Sequence, residues 1–164
     1  MKVTKAWIDY QSAPYGKIAH IPAGIPVEPA TNLPQGGYWV QPWKGMSEQA
    51  ESWQRNYGFH VTEEQVTESP YCVGQRVRIL PCNSWPCKTK MCYGIIHGAT
   101  QVTGMVCLNI QQPYPAPLAY NAEGQWAFIV AKYASPNAGA MWFTAEGLEP
   151  MKRIVKKVLQ SQPA

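Results

Sequence analysis

The sequence predicts a mainly β fold made of two small units in tandem. Three observations carry this expectation. The 164 residues include 15 Pro and 13 Gly, a density of chain breakers that limits long helices and suits short strands joined by turns. Charged residues amount to only 15%, so polarity rests on turns and uncharged side chains. Finally, a short phrase occurs twice, as Val61-Thr62-Glu63-Glu64-Gln65-Val66 and as Phe143-Thr144-Ala145-Glu146-Gly147-Leu148, at a constant offset of 82 residues, half the chain. Each copy reads as a strand end, a Thr able to cap one helical turn, an acid and an apolar anchor. A repeat of that period points to duplicated units. Seven Trp and nine Tyr fit this picture, because small units have thin cores that large rings fill well.

Val3 to Tyr10 reads as a first strand, Pro14-Tyr15-Gly16 as a turn and Lys17 to Ile21 as a second strand. Pro22 to Val27 is extended and proline-limited, which suits a sheet edge. Residues 29 to 37 form a loop, and Tyr38-Trp39-Val40 a strand stopped by Pro42. Ser47 is placed to cap a short helix over residues 47 to 57, with Glu48 and Glu51 favoured near its positive end. Met46, Ala50, Trp53 and Tyr57 give that helix one apolar face, and Gly58 ends it. Phe59-His60-Val61 is the next strand, followed by the one-turn helix of the repeated phrase.

Glu68-Ser69-Pro70 reads as a linker. Val73 to Leu80 alternates apolar Val77 and Ile79 with polar Arg76 and Arg78, the period of a half-buried strand. Residues 81 to 91 form an irregular loop. Cys92 to His97 and Gly104 to Ile110 read as strands joined by a Gly-Ala-Thr-Gln turn region. Pro113 to Pro117 interrupts the chain. Gln125 to Lys132 and Met141 to Phe143 are strands, and the second copy of the phrase follows.

This order, a strand, a long loop, further strands and a single helical turn before the last strand, resembles the SH3-like barrel. The resemblance covers residues 3 to 150 and rests on strand order and the turn phrase. It implies one barrel over residues 1–68 with the inserted helix 47–57, and a second over residues 69–150. Barrels of this kind serve as peptide-binding, nucleic-acid-binding, ribosomal or structural modules, so the fold alone does not give the function.

Residues 151–164 contain the clearest helical pattern. Met151, Ile154, Val155, Val158 and Leu159 recur at helical spacing, with Lys152, Arg153, Lys156 and Lys157 opposite. Such a short amphipathic helix needs its apolar face covered. The chain's own barrel, a partner protein or a second copy could cover it.

The cysteines offer the densest candidate for chemistry. Cys82, Cys87 and Cys92 are spaced by four intervening residues and His97 follows. A Cys3His metal site can be drawn from them, although zinc sites ordinarily use closer Cys pairs. Cys107 reads as a small buried hydrophobe. No phosphate-cradling glycine loop or dinucleotide fingerprint is present, and the acids form no catalytic pair, so a non-enzymatic reading without a cofactor leads, and a small metal-binding protein or enzyme built on Cys82, Cys87 and Cys92 stays as an alternative.

Net charge is +4 and the isoelectric point about 8.8, mild for a dedicated nucleic-acid binder. No apolar stretch reaches the length of a membrane span, and the N-terminal residues carry no signal-peptide pattern. The expectation is a soluble cytoplasmic protein. A protein-binding module is the leading functional class, with the compact, motif-poor style of accessory or inhibitory proteins carried by phages, plasmids or integron cassettes. In the SH3-like resemblance, Trp85, Lys88 and Lys90 fall in the loop that lines a ligand groove, with Tyr93 nearby. That basic and aromatic loop suits an acidic or proline-containing peptide, or single-stranded nucleic acid by stacking; if Arg76, Arg78, Lys152, Arg153, Lys156 and Lys157 converge with it on one face, a nucleic-acid-binding protein is the alternative.

Overall fold

The computed structural model describes residues 1–82, 93–103, 110–111, 122–131 and 139–151, and these form a mainly β fold. In the first half, β1 (Lys2–Thr4), β2 (Ile8–Ser12), β3 (Gly16–Ile21), β4 (Val27–Pro29) and β5 (Tyr38–Val40) precede helix α1 (Glu48–Asn56). Strand β6 (His60–Val61), a 3-10 turn (Glu63–Gln65) and β7 (Val66–Glu68) close it. The second half has β8 (Arg76–Ile79), β9 (Tyr93–Gln101), β10 (Ile110–Gln111), β11 (Trp126–Ala131) and β12 (Met141–Thr144). A second 3-10 turn (Ala145–Gly147) leads into β13 (Leu148–Pro150).

The repeated phrase folds the same way twice. Thr62 and Thr144 are extended, with φ/ψ of −87°/165° and −83°/172°. One 3-10 turn follows each, and the amide of Val66 or Leu148 closes it by donating to the carbonyl of Glu63 or Ala145. In the first copy the Thr62 amide also donates to Gln65 Oε1 at 3.0 Å. The strand after each turn then pairs antiparallel with the opening strand of its own half. Thr4 faces Val66, and Ile79 faces Leu148.

Around these shared ends the sheets differ. Among the described residues the second half forms one six-stranded sheet in the order β10-β12-β11-β9-β8-β13, curled into a half-barrel. The first half is divided into β1-β7, β2-β3 and β4-β5-β6, with a single bridge from Val3 to Pro26 between β1 and the start of β4. Proline supplies no amide to a ladder, and Pro26 and Pro29 flank Val27 in this edge strand. Thr4 takes over part of the work. Its Oγ1 accepts from the Ile25 amide at 2.9 Å and donates to the Pro22 carbonyl at 2.7 Å.

Two elements depart from the sequence expectation. The run Val3 to Tyr10 is two strands, because after Thr4 the Lys5 amide turns to the Gln65 carbonyl and the chain then joins a separate hairpin. The Gly-Ala-Thr-Gln segment, expected to turn, continues β9. Gly98 stands opposite Ile129 in the ladder, and a Cβ there would come within 3.0 Å of the Ile129 side chain. The glycine therefore serves close packing rather than a turn. Of the strand expected over Gly104 to Ile110, residues 104–109 lie outside the described residues and Ile110 opens β10; of the expected C-terminal helix, residues 152–164 lie outside them.

Helix α1 forms where its cap allows. Ser47 Oγ accepts from the Ala50 amide at 3.1 Å, Glu48 and Glu51 occupy the first turn, and Gly58 follows the helix at φ +74°. Ala50 is buried and Trp53 packs against the core, but Tyr57, expected on the same apolar face, is 63% exposed.

The buried residues divide into two main clusters. One gathers Ile18, Ile21, Ile25, Val40, Phe59 and Val61. The other gathers Val77, Ile79, Ile96, Phe128, Val130 and Phe143, and it also takes in Val3 and Ala23 from the first half. Each of the phenylalanines is fully buried, a contribution of about 1.5–3 kcal/mol apiece.

The junction between the halves is packed. Ser69 is buried, its Oγ donates to the Tyr71 carbonyl at 2.6 Å, and its amide donates to the Met1 carbonyl. Trp126 Nε1 donates to the Glu68 carbonyl at 3.2 Å, and Tyr71 Oη to the Leu148 carbonyl at 3.2 Å. Burial pushes the Tyr71 phenol above its ordinary pKa. At Gly24, with φ +81°, a Cβ would lie 2.6 Å from Ala99 Cβ, and its carbonyl accepts from the Val73 amide at 3.0 Å. The segment read as a linker is thus held on both sides.

Candidate functional site: a cleft between the halves

The packed junction leaves an open cleft beside it. The outward side of the second-half sheet provides one wall, with Ile95 and His97 on β9 and Ile129 on β11. The first half provides the other with Ile25, Pro26, Pro42 and Trp43, and Val73 lies between. The cleft measures about 600 Å³. A second cavity of about 440 Å³ shares Trp43, Lys44, Val73, His97 and Ile129 with it and continues toward Trp7, His20 and Trp142. The two make one trough with an apolar floor and aromatic rim, the composition of binding concavities.

Local sequence explains the rim. Pro42 ends β5 and Trp43 follows it out of the sheet, its ring packing against buried Phe59 at 5.5 Å. Ile129 and Trp142 face each other across the β11–β12 ladder, on the side opposite buried Phe128 and Phe143. Both sit at strand positions that a solvated sheet would give to polar residues.

Trp7 is 56% exposed and stacks on His20 with ring centres 4.5 Å apart and planes 20° from parallel. His20 Nδ1 lies 2.6 Å from Asp9 Oδ1, and Lys17 Nζ lies 3.3 Å from the same oxygen. An ionised carboxylate only accepts, so Nδ1 carries the proton. The hydrogen bond from His20, then Lys17, holds the Asp9 carboxyl below its usual pKa. This arrangement fixes the imidazole and, through it, the exposed indole.

The sequence-predicted site residues fall in several places. Arg76, Arg78 and Tyr93 share the outward side of the β8–β9 pair, with Arg78 directly opposite Tyr93 and Arg76 opposite Ile95. Arg78 Nη1 also lies 3.5 Å from Glu149 Oε2. Arg76, Tyr93 and Met151 line a small cavity of about 200 Å³. His97 belongs to the cleft. Cys82 is buried in the second-half core, and burial raises the Cys72 thiol pKa. Among the described residues no group of three His, Cys, Asp or Glu could hold a metal ion. Trp85, Cys87, Lys88, Lys90, Cys92, Lys152, Arg153, Ile154, Val155, Lys156, Lys157, Val158 and Leu159 lie outside the described residues. No helix among those described is long and apolar enough to cross a membrane.

Sequence reasoning missed Trp7, Trp43, Ile129 and Trp142 as site residues. Trp43 stood after a strand-stopping proline, and Ile129 and Trp142 broke the alternation of their strands. These signals become visible only once the walls are paired. No protein-family model matches the chain, and no curated protein or solved structure is significantly similar to it.

Proposed function

We propose that the chain is a non-enzymatic protein-binding module built as two tandem SH3-like barrels, and that it binds its partner in the cleft between them. The observation that carries this reading is the continuous apolar trough, whose rim holds an exposed Trp7 and the Trp43 indole. Aromatic anchors around an apolar floor are what protein interfaces use at their energetic centre. The matched closing turns and first-to-last strand pairing support the tandem barrels. An accessory or inhibitory role on a phage, plasmid or integron cassette is one setting for such a module, suggested by its compact, motif-poor sequence.

The test is affinity capture from the native host with the unaltered chain and with the Trp43→Ala and Ile129→Asp variants, each checked for an unchanged fold by circular dichroism. One defined polypeptide should be retained by the unaltered chain and lost with both variants. Retention by both would remove the cleft as the binding surface.

One observation favours a second reading, single-stranded nucleic acid. Arg76, Arg78 and Tyr93 lie side by side on the β8–β9 pair, offering phosphate contacts beside a stacking ring. Gel shifts at two salt concentrations decide it, since phosphate contacts make affinity fall steeply with salt. No shift at low salt would sink this reading.

A further inference from the structure

A different surface of the first half carries chemistry that the cleft does not use. Helix α1 and the β2–β3 hairpin meet around an open cavity of about 320 Å³ that shares no lining residue with the cleft. Gln49, Ser52, Trp53, Asn56 and Tyr57 recur at i, i+3, i+4, i+7 and i+8, so α1 and its C-cap give them one face. Tyr15, in the turn between β2 and β3, completes the wall. Tyr15 and Tyr57 are 66% and 63% exposed. Each leans on the Trp53 ring, Tyr15 at 6.1 Å and 71° and Tyr57 at 4.5 Å and 43°. Trp53 offers ring surface alone, because its Nε1 is buried. Asn56 Nδ2 donates to the Ser52 carbonyl at 2.9 Å, which fixes that amide. The Tyr15, Tyr57 and Ser52 hydroxyls and the Gln49 amide make no hydrogen bond among the described residues.

These features select one ligand chemistry. No lining side chain is ionised at neutral pH, so a phosphate, carboxylate or ammonium would leave water without gaining a counter-charge. The inclined rings leave no parallel slot for a flat base. What suits them is a neutral ligand with apolar faces and a polar edge. A β-linked glucose unit has that form. Its ring substituents are equatorial and lie around the edge, while axial C–H groups cover both faces. Those C–H groups are weakly positive and suit the negative face of an aromatic ring. Its hydroxyls both donate and accept, as do the hydroxyls and amides that border the cavity. The volume falls at the small end of the range of about 300–1,000 Å³ for ligand sites, the scale of a short saccharide.

We propose that this cavity binds a neutral β-linked glucan segment. One pyranose ring seats against Tyr15, Trp53 and Tyr57, and its hydroxyls bond to Gln49, Ser52 and Asn56. The site is separate from the cleft and does not depend on it.

The test is calorimetric titration of the full chain with cellohexaose at low and at high salt. It is repeated with Tyr15→Ala, Tyr57→Ala, Gln49→Ala and the cleft variant Trp43→Ala. Tyr15, Tyr57 and Gln49 are exposed, so their variants should keep the unfolding midpoint of the unaltered chain. The expected result is saturable binding, weakened about tenfold by either tyrosine change, the effect of losing one aromatic anchor. Gln49→Ala should weaken it a few-fold, the loss of one hydrogen bond. Trp43→Ala and salt should leave it unchanged, since no ion pair contributes. Absence of saturable binding would overturn the proposal, as would binding that is indifferent to both tyrosines, lost with Trp43→Ala or steeply weakened by salt.

Discussion

The two halves of this chain end alike and are built differently. Both close with an extended Thr, a 3-10 turn and a strand that returns to pair with the opening strand. In the second half the opening strand also pairs with the next one through three residue pairs, Arg76–Ile95, Val77–Gly94 and Arg78–Tyr93. In the first, the corresponding contact is the bridge from Val3 to Pro26. The difference shows what a local phrase specifies. It fixes the corner, while prolines and the separate β2–β3 hairpin decide whether a continuous sheet forms beside it. The first half compensates with side chains, through Thr4 and the ring cluster of Tyr10, Trp43, Trp53 and Phe59.

The largest expected effect tests whether these unlike halves stand as one cooperative unit. Phe59→Ala in the first core and Phe128→Ala in the second should each cost about 3–5 kcal/mol, the usual penalty for emptying a buried phenylalanine site. Because Val3 and Ala23 belong to the second core and Trp126 is bonded to Glu68, either change should move a single denaturant transition. Two transitions, with only one displaced by each substitution, would separate the halves energetically.

Gly24→Ala sharpens the same point at the junction. A methyl group there meets Ala99 Cβ at 2.6 Å, so overpacking should cost about 1–3 kcal/mol and the left-handed backbone about 1–2 more. The unfolding midpoint should fall, and tryptophan emission should change as the cleft walls shift. An unaltered midpoint would mean that the junction is looser than its contacts imply.

Ser47→Ala acts on the first half alone. Loss of the cap on the Ala50 amide should cost about 1 kcal/mol, read from the denaturation midpoint. Ser47→Asp should restore most of it, since either side chain can accept at that position. Failure of Asp to rescue would point to packing rather than capping.

The smallest effect is a pH dependence confined to the same half. Asp9 titrates below its usual range in the folded chain, so its contribution is present above the unfolded carboxylate pKa. It is lost as pH falls through the depressed folded value. Asp9→Asn should therefore lower stability slightly at neutral pH and reduce the loss of stability in acid. A midpoint-versus-pH series with an unaltered acid limb would remove this role.

Much of the fold was legible in sequence because it is governed by short-range rules. Ser47, Gly58 and the apolar spacing of Ala50 and Trp53 define α1, and Val77 with Ile79 defines the buried side of β8. What was illegible depends on partners distant in the chain. Gly98 reads as a turn residue in sequence, and only Ile129 opposite it makes it a close-packing position; Val3 to Tyr10 reads as continuous, and only the Gln65 carbonyl that takes the Lys5 amide divides it. The cleft was hidden for the same reason. Trp43 and Ile129 are 86 residues apart in the chain, and their juxtaposition follows from how one half leans on the other. The basic and aromatic surface expected from sequence is represented among the described residues by Arg76, Arg78 and Tyr93.

The central claim, that the cleft between the halves is the binding surface, is most directly tested by site-specific photocrosslinking in the native host. A benzophenone side chain placed at Trp43, and separately at Ile129, should each yield the same discrete adduct with another polypeptide, while the exposed helix position Glu48 should yield none. Absence of an adduct from both cleft positions, or equal crosslinking from Glu48, would contradict the account.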